Sequence, residues 1–165
     1  NVPCFLGQAL RWDTDYGTIS IMFKELIGMS VREFHLSTPR EGMINITSQV
    51  GQAVRESGVT SGICVVFTPH TTAAITINEN ADPDVVRDFM LGMDDAFPQN
   101  RAFQHMEGNS HAHLKSSNVG CSETIIIENG RLLLGTWQGI WFCEFDGPRN
   151  RRFWVKIISD GGAGQ

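Results

Sequence analysis

The residues in this chain best suited to chemistry are histidines, and four of the five fall in two short stretches. His70 stands in "FTPHTTAAITINENAD", at the end of an apolar run, and His105, His111 and His113 crowd into "HMEGNSHAHLKSS". Imidazole matches borderline metals such as zinc, and three protein ligands with one open position make a catalytic rather than a structural centre. His70, His105 and His113 can supply such a set, from two separate loops rather than from one compact motif. His111 and His113 diverge by about 200° on a helix, so only one of them is expected to bind, and His113 is preferred. Glu79, between a strand and a helix, suits a metal ligand, a general base or a helix cap. Asn109 can orient a phosphate or a water, and Lys115 with Ser116 and Ser117 can help cradle an anion near a short helix. Trp137 and Gln138, in "GTWQGIWFCEF", can line a ligand face or a subunit boundary, whereas Trp141 reads as core. The basic run "GPRNRR", Gly147 to Arg152, reads as a solvated hairpin tip unless it lies beside the histidines, in which case it becomes a phosphate clamp. His35 reads as structural or exposed.

These side chains need elements to hold them. "SVREFHLST" alternates as a strand and "PREG" closes it as a turn. "NITSQVGQAVRESG" spaces Ile46, Val50, Ala53 and Val54 as a helix, with Asn45 or Thr47 as cap and Gly58 as stop. "GICVVFT" and "AAITIN" are strands joined tightly through "PHTT". "DPDVVRDFMLGM" makes a second helix, capped by Asp82 with Pro83 at its first position. A long loop from Asp94 leads to a short helix near "SHAHLKSSNVG", and long loops in compact domains tend to be functional. "ETIIIENGRLLLGTW" is a hairpin turning at Asn129-Gly130. "GIWFCEFDGPRNRRFWVKII" gives two more strands, and the terminal "DGGAGQ" should fray. About seven strands, mostly joined by hairpins, and two or three helices imply an α+β fold with an antiparallel, β-sandwich-like core.

The chain's 165 residues suit one domain with a sizeable core. With 41% hydrophobic and 19% charged residues it reads as an ordinary soluble protein, and a formal charge of -5 gives no basic field to attract nucleic acid. Its four cysteines form no C-x-x-C pair, two of them sit inside apolar runs, and a reducing cytoplasm fits that use. No stretch resembles a membrane span, and "NVPCFLGQALRW" lacks the order of a signal peptide.

Three segments in order, "GICVVFTPHTTAAITINENADPDVVRDF", then "H...GN...HLKSS..G.SETI", then "NGRLLLGTWQGIWFCEFDGPRNRRFWVKI", resemble the YjbQ family (UPF0047 type). The resemblance covers about Met29 to Ile158, so residues 1–28 read as an N-terminal extension and 29–165 as a single YjbQ-like domain. It implies an α+β fold around a β-sandwich, a homotrimer, and histidines near subunit boundaries able to hold a metal. Carried over residue by residue, it implies His70, His105 and His113 as the metal set, Glu79 as the "NEN" glutamate, and Trp137 with Gln138 as the "GTWQ" pair. His111 departs from the family pattern. The implied activity is that of a secondary thiamine-phosphate synthase, which joins a pyrimidine diphosphate to a thiazole phosphate. Zinc suits the imidazoles, and magnesium would suit a diphosphate substrate. Two other functions fit the same residues. One is metal-dependent hydrolysis of a small phosphorylated or amide substrate with Glu79 as base. The other is a non-catalytic trimeric protein that binds a metal or ligand.

Overall fold

β-Branched and aromatic residues in alternation pair as strands, and the two faces they create decide the layering. The computed structural model describes residues 31–161. The expected extension, residues 1–28, and most of "DGGAGQ" lie outside them. The strands are β1 (Arg32–Ser37), β2 (Gly42–Asn45), β3 (Ser61–Phe67), β4 (Ala73–Glu79), β5 (Ser122–Glu128), β6 (Arg131–Leu132), β7 (Gln138–Glu144) and β8 (Asn150–Ser159). The helices are α1 (Thr47–Ser57), α2 (Pro83–Ala96) and α3 (Ser110–Val119). One sheet runs β1-β8-β3-β5-β6 and the other β2-β7-β4, and their pairings are antiparallel. The fold is α+β with a sandwich core, as the pattern implies.

Between the sheets, Cys64, Val66, Ile125, Ile127, Phe153 and Val155 of the larger meet Ile75, Ile140 and Phe142 of the smaller, with Val50, Ala53 and Val54 of α1 closing the core. The outer face of the smaller sheet carries Ala74, Cys143 and Phe145, covered by Phe89, Met90 and Met93 of α2 and Ala112 and Val119 of α3. With both faces covered, β7 from Gly139 to Glu144 is buried throughout, which is why "GIWFCEF" shows no clean alternation.

The helix signals hold. Asp82 accepts from the Asp84 N–H at 2.9 Å with Pro83 behind it, and Gly58 takes a left-handed φ of 72° where a side chain would be strained. Ile46 occupies the cap position of α1, while the Asn45 Oδ1 accepts from the Thr47 N–H. The expectation of strands mostly joined by hairpins is corrected: of the sequential strands only β5 and β6 pair with each other, across Asn129-Gly130. "PHTT" instead carries the chain from the larger sheet to the smaller, and "FDGPRN" carries it back. Strand β2 and the last turn of α2 also replace expected turn and loop. All these crossings are driven by burial, which local propensity does not encode.

Candidate functional site

The crossing from β3 to β4 holds His70, and α3 lies beside it. Ala112 and Ser116 of α3 are buried toward the sheet, and the Ser116 hydroxyl donates to the Ala73 carbonyl at 2.7 Å. That contact turns His113 and Ser117 outward. His113 lines three adjoining hollows. The largest, about 570 Å³, is shared with Phe67, His70, Thr71, Ser117 and Cys121. A second, about 410 Å³, is shared with Phe103 and His105. A third, about 280 Å³, brings His105 and His113 together with Asn109, Asp146, Arg149 and Arg151.

The third hollow answers the question posed by "GPRNRR". The run is not a hairpin tip, because β7 and β8 belong to different sheets, and it lies beside the histidines. Gly147 makes this possible: a Cβ there would sit 1.9 Å from the Pro39 carbonyl, so only glycine allows the loop to pass so close. Arg151 is buried and forks onto Glu144, through Nε to Oε2 at 2.7 Å and Nη2 to Oε1 at 2.6 Å, and it also donates to Thr72. Glu144 is fully buried and also accepts from the Thr38 hydroxyl and the Asp146 N–H. Burial pushes its carboxyl up, yet these hydrogen bonds, with the Arg151 charge, outweigh burial and hold it below the ordinary carboxylate value. Arg149 is half exposed and donates to Asp146, which also accepts from the Asn109 side chain at 2.9 Å. The buried Oδ1 of Asn109 has no partner in the protein among the described residues.

His105 and His113 stand edge to face with ring centres 5.2 Å apart. Two imidazoles bound at about 2.0–2.1 Å to one tetrahedral ion place their ring centres roughly 5 Å apart, so this pair fits two positions on zinc. The same spacing suits an ordinary aromatic contact, so it permits the ion without requiring it. The expected trio of His70, His105 and His113 is not assembled within the chain. No three His, Cys, Asp or Glu side chains among the described residues group closely enough to hold a metal. His70 shares a hollow with His113, but its Nε2 accepts the Arg152 backbone N–H at 3.0 Å. Burial, then the Arg151 and Arg152 charges, push its pKa down, against the opposing pull of Glu144.

Other expected residues are placed differently. Lys115 is fully buried and ion-paired with Glu41 and Asp94, so it ties α3 to α2 and to the segment before β2 rather than facing an anion. Glu79 pairs with Gln138 at the far end of β4, whose seven residues span about 20 Å from the His70 end. Trp137, 63% exposed, is in the turn before β7 at that same far end. Trp141 is buried as expected, and His35 is exposed on β1 beside Glu33. Cys64 and Cys143 are buried, their thiols pushed up to about 12, whereas Cys121 is exposed at the first hollow. The role of Arg151 was hidden in the sequence, since adjacent arginines Arg151 and Arg152 look alike until β8 turns them to opposite faces.

The family model of UPF0047 protein YjbQ-like proteins matches residues 32–160, the span that carries both sheets and all three helices. The chain belongs to the YjbQ/UPF0047 family. It is 54% identical to UPF0047 protein YugU of Bacillus subtilis over 123 residues, 74% of this chain and 93% of that protein. It is 59% identical to UPF0047 protein MJ1081 of Methanocaldococcus jannaschii over 121 residues, 73% of this chain and 88% of the relative. A crystal structure of a YjbQ/UPF0047 family protein from Clostridium acetobutylicum superposes with a TM-score of 0.75 at 59% identity, covering 77% of this chain and 99% of that one. A YjbQ-like protein of unknown function from Sulfolobus solfataricus gives a TM-score of 0.76 at 32% identity, covering 80% and 98%. No helix of the described residues is long and apolar enough to cross a membrane.

Proposed function

We propose that this YjbQ-family chain is an enzyme that binds a small phosphorylated molecule in the hollow beside His105 and His113 and carries out the thiamine-phosphate synthase reaction its family resemblance implies. The observation supporting this is that Arg149 and Arg151 line the same hollow as the two imidazoles. In that condensation the bond from the pyrimidine methylene to diphosphate breaks, the thiazole nitrogen bonds to the methylene, and negative charge grows on the departing diphosphate. Fixed guanidinium groups stabilise such charge without reorganising. Arg151 is already locked by Glu144, so it presents its remaining edge in one orientation. His105 and His113 would hold a divalent metal, zinc by ligand type, which would supply Lewis acidity at the phosphate, whereas magnesium would come bound to the diphosphate oxygens. Cytoplasmic location and a homotrimer complete the reading. Three free cysteines among the described residues support the first, and exposed Ile126 and Ile158 on the outer face of the larger sheet, with exposed Leu133 just after β6, support the second.

Hydrolysis with Glu79 as base is the weaker reading, because β4 holds that carboxylate about 20 Å from the hollow within one chain. A binding protein without turnover differs from the enzyme only in assay. Thiamine phosphate formation should therefore be measured with and without added metal, for the wild type and His113→Ala. Loss of product in the variant supports the enzyme; an unchanged rate removes it.

A further inference from the structure

We infer that His70 is a fixed hydrogen-bond donor to the bound ligand through its Nδ1–H, and neither a metal ligand nor a proton acceptor. Three observations carry this. First, Nε2 accepts the Arg152 backbone N–H at 3.0 Å, and a nitrogen that accepts has no proton of its own. The neutral ring therefore carries its proton on Nδ1, which leaves no free lone pair for a metal or for a substrate proton. Second, the donor cannot easily move away. Arg152 sits inside β8, paired with His35 of β1, and its carbonyl accepts from the Thr68 hydroxyl at 3.3 Å. Breaking the contact to free Nε2 would strand a strand N–H. Third, Nδ1 has no partner in the protein among the described residues, while the half-buried ring lines the hollow of about 570 Å³ with Thr71, His113, Ser117 and Cys121. An N–H on the wall of a hollow is free to donate to an acceptor that enters it. The chemical class it selects is a ligand oxygen bearing lone pairs, a phosphoryl or carbonyl oxygen. Burial and the neighbouring Arg151 and Arg152 charges favour the same neutral ring.

The donor role rests on the proposed ligand reaching from the hollow beside His105 and His113 into the adjoining one that His70 lines; the assignment of the proton does not. Nitrogen-15 correlation spectra of the imidazoles at neutral pH test the proton directly. For His70 the expected result is a protonated Nδ1 and an unprotonated Nε2, with added zinc shifting the His105 and His113 nitrogens and leaving those of His70 in place. A proton on Nε2, or a zinc shift at His70, overturns the inference. The donor role is tested by diphosphate binding. An asparagine amide reaches the place of Nδ1, whereas a glutamine amide reaches that of Nε2, so His70→Asn should keep affinity within about threefold and His70→Gln should lose about tenfold. Rescue by glutamine and not by asparagine overturns it. If the wild type takes no diphosphate, the proposed function and the donor role fall together, while the nitrogen spectra still decide whether His70 is open to a metal.

Discussion

The two ends of β4 both carry residues suited to chemistry, and they differ in physics. At one end His70, Thr71 and Thr72 lead into the strand beside Glu144, Arg151 and α3; at the other, Glu79 and Gln138 pair beside Asn78 and Asn80. The first end buries charge and accounts for every oxygen of it: the Glu144 carboxylate receives Arg151, Thr38 and a backbone N–H. The second is a set of neutral amides and a half-buried carboxylate, with Gln138 folded back onto the Gly135 N–H and Trp137 in solvent. Buried charge is costly unless completely paired, so a fold keeps such an arrangement where rigidity at a binding face repays it. Residue type alone would give both ends a role; only the first has preorganised cations around a cavity.

That contrast can be broken in several ways. The largest effect is expected from Arg151→Met, which strands the fully buried Glu144 carboxylate and should cost about 3–5 kcal/mol in urea denaturation, whereas Glu79→Ala should stay within about 0.5 kcal/mol. Equal losses would erase the distinction. Next, Lys115→Met should lower stability by about 1–3 kcal/mol by unpairing Glu41 and Asp94, and leave diphosphate affinity unchanged. A loss of affinity without loss of stability would return Lys115 to the binding residues.

Two of the depressed pKa values, those of His70 and the buried Glu144, bear most directly on pH dependence at the histidine end of β4. His70 is held below its ordinary 6.5, so the unfolded chain binds its proton first and stability declines as pH falls below about 6.5. Glu144 is held below 4.5, so a second decline begins as pH falls below about 4.5 and its salt bridge is protonated. Denaturation midpoints measured from pH 8 to pH 3 should show both steps, and His70→Asn should remove the upper one. The smallest effect is expected from Trp137→Ala, an exposed turn residue whose loss should change neither stability nor diphosphate binding in a single chain. A clear loss of binding there would mean that the far end of one copy completes the hollow of another.

Much of the fold was legible because its signals are local: Asp82 with Pro83, Gly58, and Asn129-Gly130 each act within a few residues. Sheet partners were not, since whether "PHTT" turns back or crosses over depends on which apolar face each strand must bury. The candidate site divides the same way. His105 and His113 could be paired by their proximity in sequence, and the loop before α3 and α3 itself bring them to one hollow. Lys115 looked like an anion ligand because nothing in "HLKSS" reveals that helix packing buries it against Asp94 and Glu41. Glu79 looked close to His70 because nine positions seem few, but in a strand they are fully extended. Arg151 was invisible until β8 aimed it inward.

The most direct test is calorimetric titration with diphosphate of the wild type, Arg149→Ala and Glu79→Ala under one salt condition. Binding to the wild type, at least tenfold weaker binding to Arg149→Ala and undiminished binding to Glu79→Ala is the predicted result. Equal affinity in wild type and Arg149→Ala, or weakening confined to Glu79→Ala, would contradict a phosphate site at the histidine end of β4.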